Sequence, residues 1–355
     1  LLFFLLLLQC KAFISNRIES LQPSKTKQDF RPFPSKDISG QYCRMHRHSQ
    51  TTTLLMSSSL VAQQLVRTAF GVALANKISS RGLKRNSLNK NGATAAFWVS
   101  SIAASSSVRT AIALIMFYLT GSKLTSVGYS RKKTFEEDYS EEGSRGASQV
   151  LACSLIGTSL ALLRRVLVGV DGPLAWGESS IACLGNRLTL ACVAFFACCA
   201  GDTWASELGI LSKHPPRLVL APWKSVPPGT NGAVSWVGLA ASAAGGLCMG
   251  LTYGLFMISN TALREIAALA WIGTLGGLGG SLLDSILGST IQATYYDTES
   301  NMIVKRSSAT TRREGVAFLS NEAVNFVSTA GTAALGALWT KPLLTFISML
   351  MPNSL

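Results

Sequence analysis

Charged side chains are scarce in this chain and unevenly placed. They make up 14% of its 355 residues, and none occurs between Ala233 and Asn260. Soluble cores rarely sustain so long an uncharged run, whereas apolar stretches of membrane-spanning length are what a bilayer selects. Histidine is almost missing: His46, His48 and His214 are scattered and cannot assemble a Ser-His-Asp set. No CxxC pair and no Cys/His metal spacing exists, so the eight cysteines read as small apolar packing residues rather than a zinc site or a disulfide framework. No GxxxxGK[ST] loop is present, so any phosphoryl transfer needs another cradle. Acids are outnumbered, 18 against 32 Lys and Arg, but no basic stripe interleaved with aromatics appears, and nucleic acid is not an expected partner.

Apolar runs recur from about Gly92 to Met351. The expected fold is all-α, a polytopic integral membrane helical bundle of about six to eight spans, with the lipid bilayer as its first partner. Residues 59–355 form the expected membrane domain. Gly92–Thr120 is either one long tilted helix or a short hairpin. Further spans are expected over Ala147–Val168, Ile181–Ala200, Ala233–Ser259, Glu265–Leu287 and Val316–Trp339. The polar loops Gly121–Gly146, Asp202–Asn231 and Tyr295–Glu314 then share one face of the membrane. Small residues such as those of Leu275–Ser281 let helices approach closely in lipid.

Residues 1–58 read as an address, disordered and outside the fold. Leu1–Leu8 is an apolar core too short to span a bilayer, followed by an acid-poor stretch rich in Ser, Thr, Lys and Arg. Signal peptide followed by transit-like segment, with Phe13 at the junction, resembles the two-part plastid address of algae with complex plastids. The alternative is an ordinary secretory signal with a disordered tail, leading to the endoplasmic reticulum or another endomembrane.

The block Gly201–Gly209 puts Asp202, Ser206 and Glu207 directly after the apolar run Leu188–Ala200. Acids at a membrane boundary are costly unless they hold a cation or pair with a base. Lys213, Arg217 and Lys224 follow, then the turn Gly229-Thr230-Asn231-Gly232, whose bare N–H groups suit an anion. Acid, base and Gly-turn together read as a site for a metal-bound phosphate. Asp202 has a second reading, as the N-cap of a helix starting at Thr203. Asp284, alone in an apolar run beside Ser285, is a site candidate or a hydrogen-bond partner for a serine on a neighbouring helix. Asn321 and Asn325 share a helix face and either support the site or join helices. Lys123 touches phosphate or snorkels. Arg145 and Gln149 favour a phosphate only weakly, and Lys132 falls in the solvated loop.

Taken in order, Ser87–Ala93, Ser122–Thr125, Arg145…Gln149-Val150, Gly201–Gly209, Lys213…Arg217, Lys224…Gly229–Gly232, Asp284-Ser285 and Asn321…Asn325 resemble the transmembrane protein 19 family, which includes the plant chloroplast phytyl-phosphate kinase. That resemblance implies transfer of a phosphate from a nucleoside triphosphate (CTP or another) to phytyl monophosphate, giving phytyl diphosphate for tocopherol synthesis. It implies Mg²⁺ held by Asp202, Glu207 and Asp284. Asp202, Glu207, Lys213 and Lys224 would act catalytically, with Arg217, Lys123, Ser206 and the turn Gly229, Thr230, Asn231 and Gly232 on phosphate. Ser285, Asn321 and Asn325 would support them. The alternative is a non-catalytic multi-pass protein, a transporter or a lipid-handling scaffold.

Overall fold

The structure is a computed structural model describing residues 62, 64–135, 144–176, 180–255, 262–297, 302–304 and 311–351. The expected address, residues 1–58, lies outside them. The chain divides into two compact units, Leu1–Gly71 and Val72–Leu355. In the first, residues 64–71 are helical.

The second unit starts with residues 72–84, which form α1, and it holds every later element. The stretch Gly92–Thr120 resolves into two helices, α2 (Lys90–Ser106) and α3 (Val108–Ser126), broken at Ser107. Ser107 leaves helical geometry and its hydroxyl accepts from Thr110 N, so one serine ends α2 and caps α3. A four-residue helix, α4 (Tyr129–Lys132), comes next. The span expected over Ala147–Val168 is interrupted at Cys153–Ser154, giving α5 (Ala147–Ala152) and α6 (Leu155–Leu167). After these come α7 (Ser180–Gly209), α8 (Trp236–Gly254), α9 (Ala262–Ile291), α10 (Asn321–Leu338) and α11 (Thr340–Leu350). Among the described residues three helices are long and apolar enough to cross a membrane: α7 from Cys183, α8 and α9. A fourth arises if α10 and α11, bent by 54°, count as one span.

Two small sheets add to the expected all-helical fold. Strands β1 (Arg217–Leu218), β2 (Ala221–Ser225) and β3 (Ala233–Val234) pair antiparallel in the order β2-β1-β3, and β4 (Thr294–Asp297) pairs with β5 (Thr311–Glu314). They lie between helices, where the sequence reads simply as polar.

Helix α7 is the centre of the bundle. From Leu188 to Ala200 its side chains are buried all round, as a helix enclosed by others must be. Glycine brings its neighbours in. A Cβ at Gly201 would lie 2.6 Å from Gly277 Cα, and one at Gly277 would lie 2.6 Å from Gly246 Cα. Backbones of α7, α8 and α9 therefore touch directly, the contact that small residues permit in lipid, where no hydrophobic force joins helices.

The helix ends define two ends of the bundle. Gly92 of α2 abuts the Arg145 carbonyl, and Gly121 of α3 lies near the Arg145 guanidinium. At the other end the Ser107 break bonds Asp171, which also pairs with Arg164. The three polar loops gather at the first end. Ile303 N donates to Phe135 O, Asn231 N to Thr294 Oγ1, and Arg131 to the Leu211 and Ser212 carbonyls.

Candidate functional site

A cavity of about 390 Å³ opens at that end, within the size range of small-molecule sites. One wall, from α1 to α3, is apolar: Ile78, Val99, Leu114, Ile115 and Phe117. Another wall, from α7, α9 and α10, carries polar groups: Asp202, Ser206, Ser281, Asp284, Ser285, Asn321 and Asn325.

Asp202 is interior to the 30-residue helix α7, so it is no N-cap; the block Gly201–Gly209 is helix, not loop. Its Oδ1 accepts from Ser281 Oγ at 3.4 Å. Ser281 and Asp284 stand three apart on α9 and hence on one face, which brings the second carboxylate to the same wall. Asp284 Oδ2 accepts from Ser328 Oγ at 2.8 Å, and the Asn325 amide nitrogen, turned toward it, donates at 3.1 Å. The serine bond and the helix-joining asparagine are therefore both present, and Asp284 and Asn325 still line the cavity. Among the described residues no three His, Cys, Asp or Glu side chains cluster as a ready metal cage. Two carboxylates suffice for Mg²⁺, which keeps several waters and takes its other ligands from substrate phosphates, so Asp202 and Asp284 fit that ion.

Glu207 does not join them. Five residues along a helix is about 140° of turn. Its Oε2 accepts from Lys132 Nζ at 2.6 Å and its Oε1 from Thr125 Oγ1 at 2.8 Å. Lys132 is fully buried, not solvated, and also donates to the Leu124 and Thr125 carbonyls in the last turn of α3. Glu207 lines the cavity, but its carboxylate is committed to closing this junction.

Arg145 is the basic residue among the described residues that lines the cavity. Its backbone is clamped: Asn89 N donates to Arg145 O and Arg145 N to Ser87 O. Asn89 also caps α2, bonding Gly92 N at 2.8 Å, and a side chain at Gly92 would strike Arg145 O. The run Ser87–Gly92 is thus a mount for Arg145. The guanidinium reaches Ser122 Oγ at 3.1 Å and Thr125 Oγ1 at 3.5 Å. Arg145, with Gln149 beside it, stands outside the main set of candidates drawn from the sequence. The signal was the run Ser87–Gly92, whose distance in sequence hides its contact.

The turn Gly229–Gly232 also borders the cavity, but two of its four amides are spent, as is the next one along the chain. Thr230 N bonds Pro227 O, Asn231 N bonds Thr294 Oγ1, and Ala233 N bonds Thr230 O. The Thr230 hydroxyl is shared with Pro227 O and Tyr296, and the Asn231 amide holds Ala293 O. Gly232 has φ +75°, and a Cβ there would meet Ser285 O on α9 at 2.7 Å. The turn is a fastening between the β1–β3 unit and α9 as much as an anion cradle.

Lys213, Arg217 and Lys224 are exposed on the β1–β2 unit, and Lys123 on the outside of α3; none lines the cavity. Arg217 donates to Pro222 O at 2.7 Å within its own hairpin.

Residues 73–333 match the family described as integral membrane protein DUF92. The chain belongs to this family. Its match contains every cavity residue, from Ile78 to Asn325. Protein PGR of Arabidopsis thaliana is 37% identical over 280 residues, covering 76% of this chain and 94% of that protein. An uncharacterized membrane protein of Methanocaldococcus jannaschii is 29% identical over 227 residues, 64% of this chain and 74% of its own length. One from Synechocystis is 28% identical over 183 residues, 51% and 62% respectively. No solved structure matches.

Proposed function

We propose that this DUF92 member is a membrane prenyl-phosphate kinase, passing a phosphoryl group from a nucleoside triphosphate to phytyl monophosphate to give the diphosphate. The observation that carries the reading is one cavity lined both by apolar side chains of α1 to α3 and by two carboxylates and an arginine. A prenyl phosphate has the same two characters, and at such a site each finds its match.

Asp202 and Asp284 would hold Mg²⁺, which would supply neutralisation of the nucleotide's phosphate charge and polarisation of the transferred phosphoryl group. Ser281, Ser328 and Asn325 fix those carboxylates in place. Arg145, planar and permanently charged, binds phosphate oxygens and offsets the charge that develops on the transferred group. An anionic oxygen of phytyl phosphate attacks the terminal phosphorus, a new P–O bond forms in line, and the bond to the nucleoside diphosphate breaks. That oxygen carries no proton to remove, so no general base is required. Ile78, Val99, Leu114 and Phe117 receive the chain and shield the reacting end from water.

This reading takes the protein to a plastid membrane and to tocopherol synthesis. Residues 1–58, fused to a fluorescent protein, test the location: plastid fluorescence lost with Phe13→Ala supports it, and delivery to the cell surface whatever the residue at 13 contradicts it. A second reading has one observation in its favour. The helix break at Cys153–Ser154 lines the cavity, and broken helices beside polar cavities serve carriers. Direct assay of phosphoryl transfer by purified protein separates the two.

A further inference from the structure

Three cations that the sequence offers for catalysis, Lys213, Arg217 and Lys224, lie outside the cavity on one small structural unit. That unit, β1–β3 with the turns around it, holds no acid: none occurs anywhere between Glu207 and Glu265. It also carries aromatic surface out of the protein. Trp223 in β2 is 79% exposed, Trp236 just past β3 is 83% exposed, and Leu220 in the β1–β2 turn is 53% exposed. The unit is tied to the cavity end by Asn231 and by Pro216, which lines the cavity and accepts from Val226 N.

We infer that the β1–β3 unit is an interfacial anchor that binds anionic lipid headgroups. Indole rings settle at the headgroup level, where one edge is apolar and the other wet. Lysine and arginine beside them meet lipid phosphates and the negative potential of an anionic leaflet. The cations thereby acquire a role that the cavity does not give them. The inference does not depend on which reaction the cavity performs, because it concerns the outer surface.

The test uses the full chain reconstituted in phosphatidylcholine vesicles with and without phosphatidylglycerol, either lipid carrying bromine on its acyl chains. The Trp223 contribution is the difference in fluorescence between the protein and Trp223→Phe. Brominated phosphatidylglycerol is expected to quench it more strongly than brominated phosphatidylcholine at equal mole fraction, and added salt to shrink that preference. Lys213→Gln with Lys224→Gln should reduce the preference about fivefold per cation removed. This double variant leaves the Arg217 bond to Pro222 intact, and an unchanged melting temperature shows that it folds. Equal quenching by the two lipids, or a preference that survives the double variant, overturns the inference. So does absence of quenching by either, which would place Trp223 in water or against a protein.

Discussion

Glu207 and Lys132, 75 positions apart in the chain, meet at 2.6 Å with the lysine fully buried. The pair joins α7 to α4 at the edge of the cavity. Removing one partner of a buried ion pair strands the other, at a cost of roughly 3–5 kcal/mol. Lys132→Met is therefore expected to lower the melting temperature in detergent sharply, although the sequence places this residue in a solvated loop. Lys132→Met combined with Glu207→Leu should lose less than the two single changes together. Wild-type melting by Lys132→Met would refute the pairing.

Arg145 gives a second prediction. Arg145→Lys keeps the charge but loses the planar fork that grips two phosphate oxygens. Its mount, made from the backbone of Ser87–Gly92, stays intact, so the protein should fold normally. Phosphoryl transfer should fall about a hundredfold, roughly 3 kcal/mol of transition-state stabilisation. Unchanged kcat/KM for Arg145→Ala would remove Arg145 from the site.

Lys224→Met supplies the contrast. This side chain is exposed and does not line the cavity. Activity in neutral detergent is expected to stay within about threefold of wild type, since surface changes away from a site are usually small in effect. A hundredfold loss, measured as kcat/KM, would return Lys224 to the catalytic set.

The glycines divide in the same way. Gly277→Val should prevent assembly of the bundle, because its Cβ would lie 2.6 Å from Gly246 Cα. Two residues on, nothing lies within 4 Å of a Cβ at Gly279. Gly279→Ala should fold and gain about 0.5–1 kcal/mol, the ordinary helix preference for alanine. Yield and melting temperature of the two variants decide the matter.

How much of the molecule is legible in its sequence depends on range. Long apolar runs locate α8 and α9 to within a few residues, because hydropathy is summed over neighbours in the chain. The glycines of α9 announce close helix packing for the same reason. Asp202 and Glu207 look like loop residues, since polarity usually marks a helix end; α7 runs through them to Gly209. The strands β1 and β3 are two residues long, too short to show a period. Lys132, Arg145 and Ser281 each depend on a partner more than fifty positions away, and nothing local to them records that partner. The convergence of Asp202 with Asp284 could be supposed from their isolation in apolar runs; the separation of Glu207 from both could not.

The central claim is that Asp202, Asp284 and Arg145 form a phosphoryl-transfer site opening on an apolar wall. Its most direct test is the conversion of phytyl monophosphate to phytyl diphosphate by purified protein with Mg²⁺ and a nucleoside triphosphate. Wild-type protein should form the diphosphate, and Asp202→Asn should form it about a hundredfold more slowly while melting normally, because it keeps the side chain's shape and deletes its charge. Well-folded wild-type protein that transfers no phosphate, across several prenyl phosphates and nucleotides, would contradict the account.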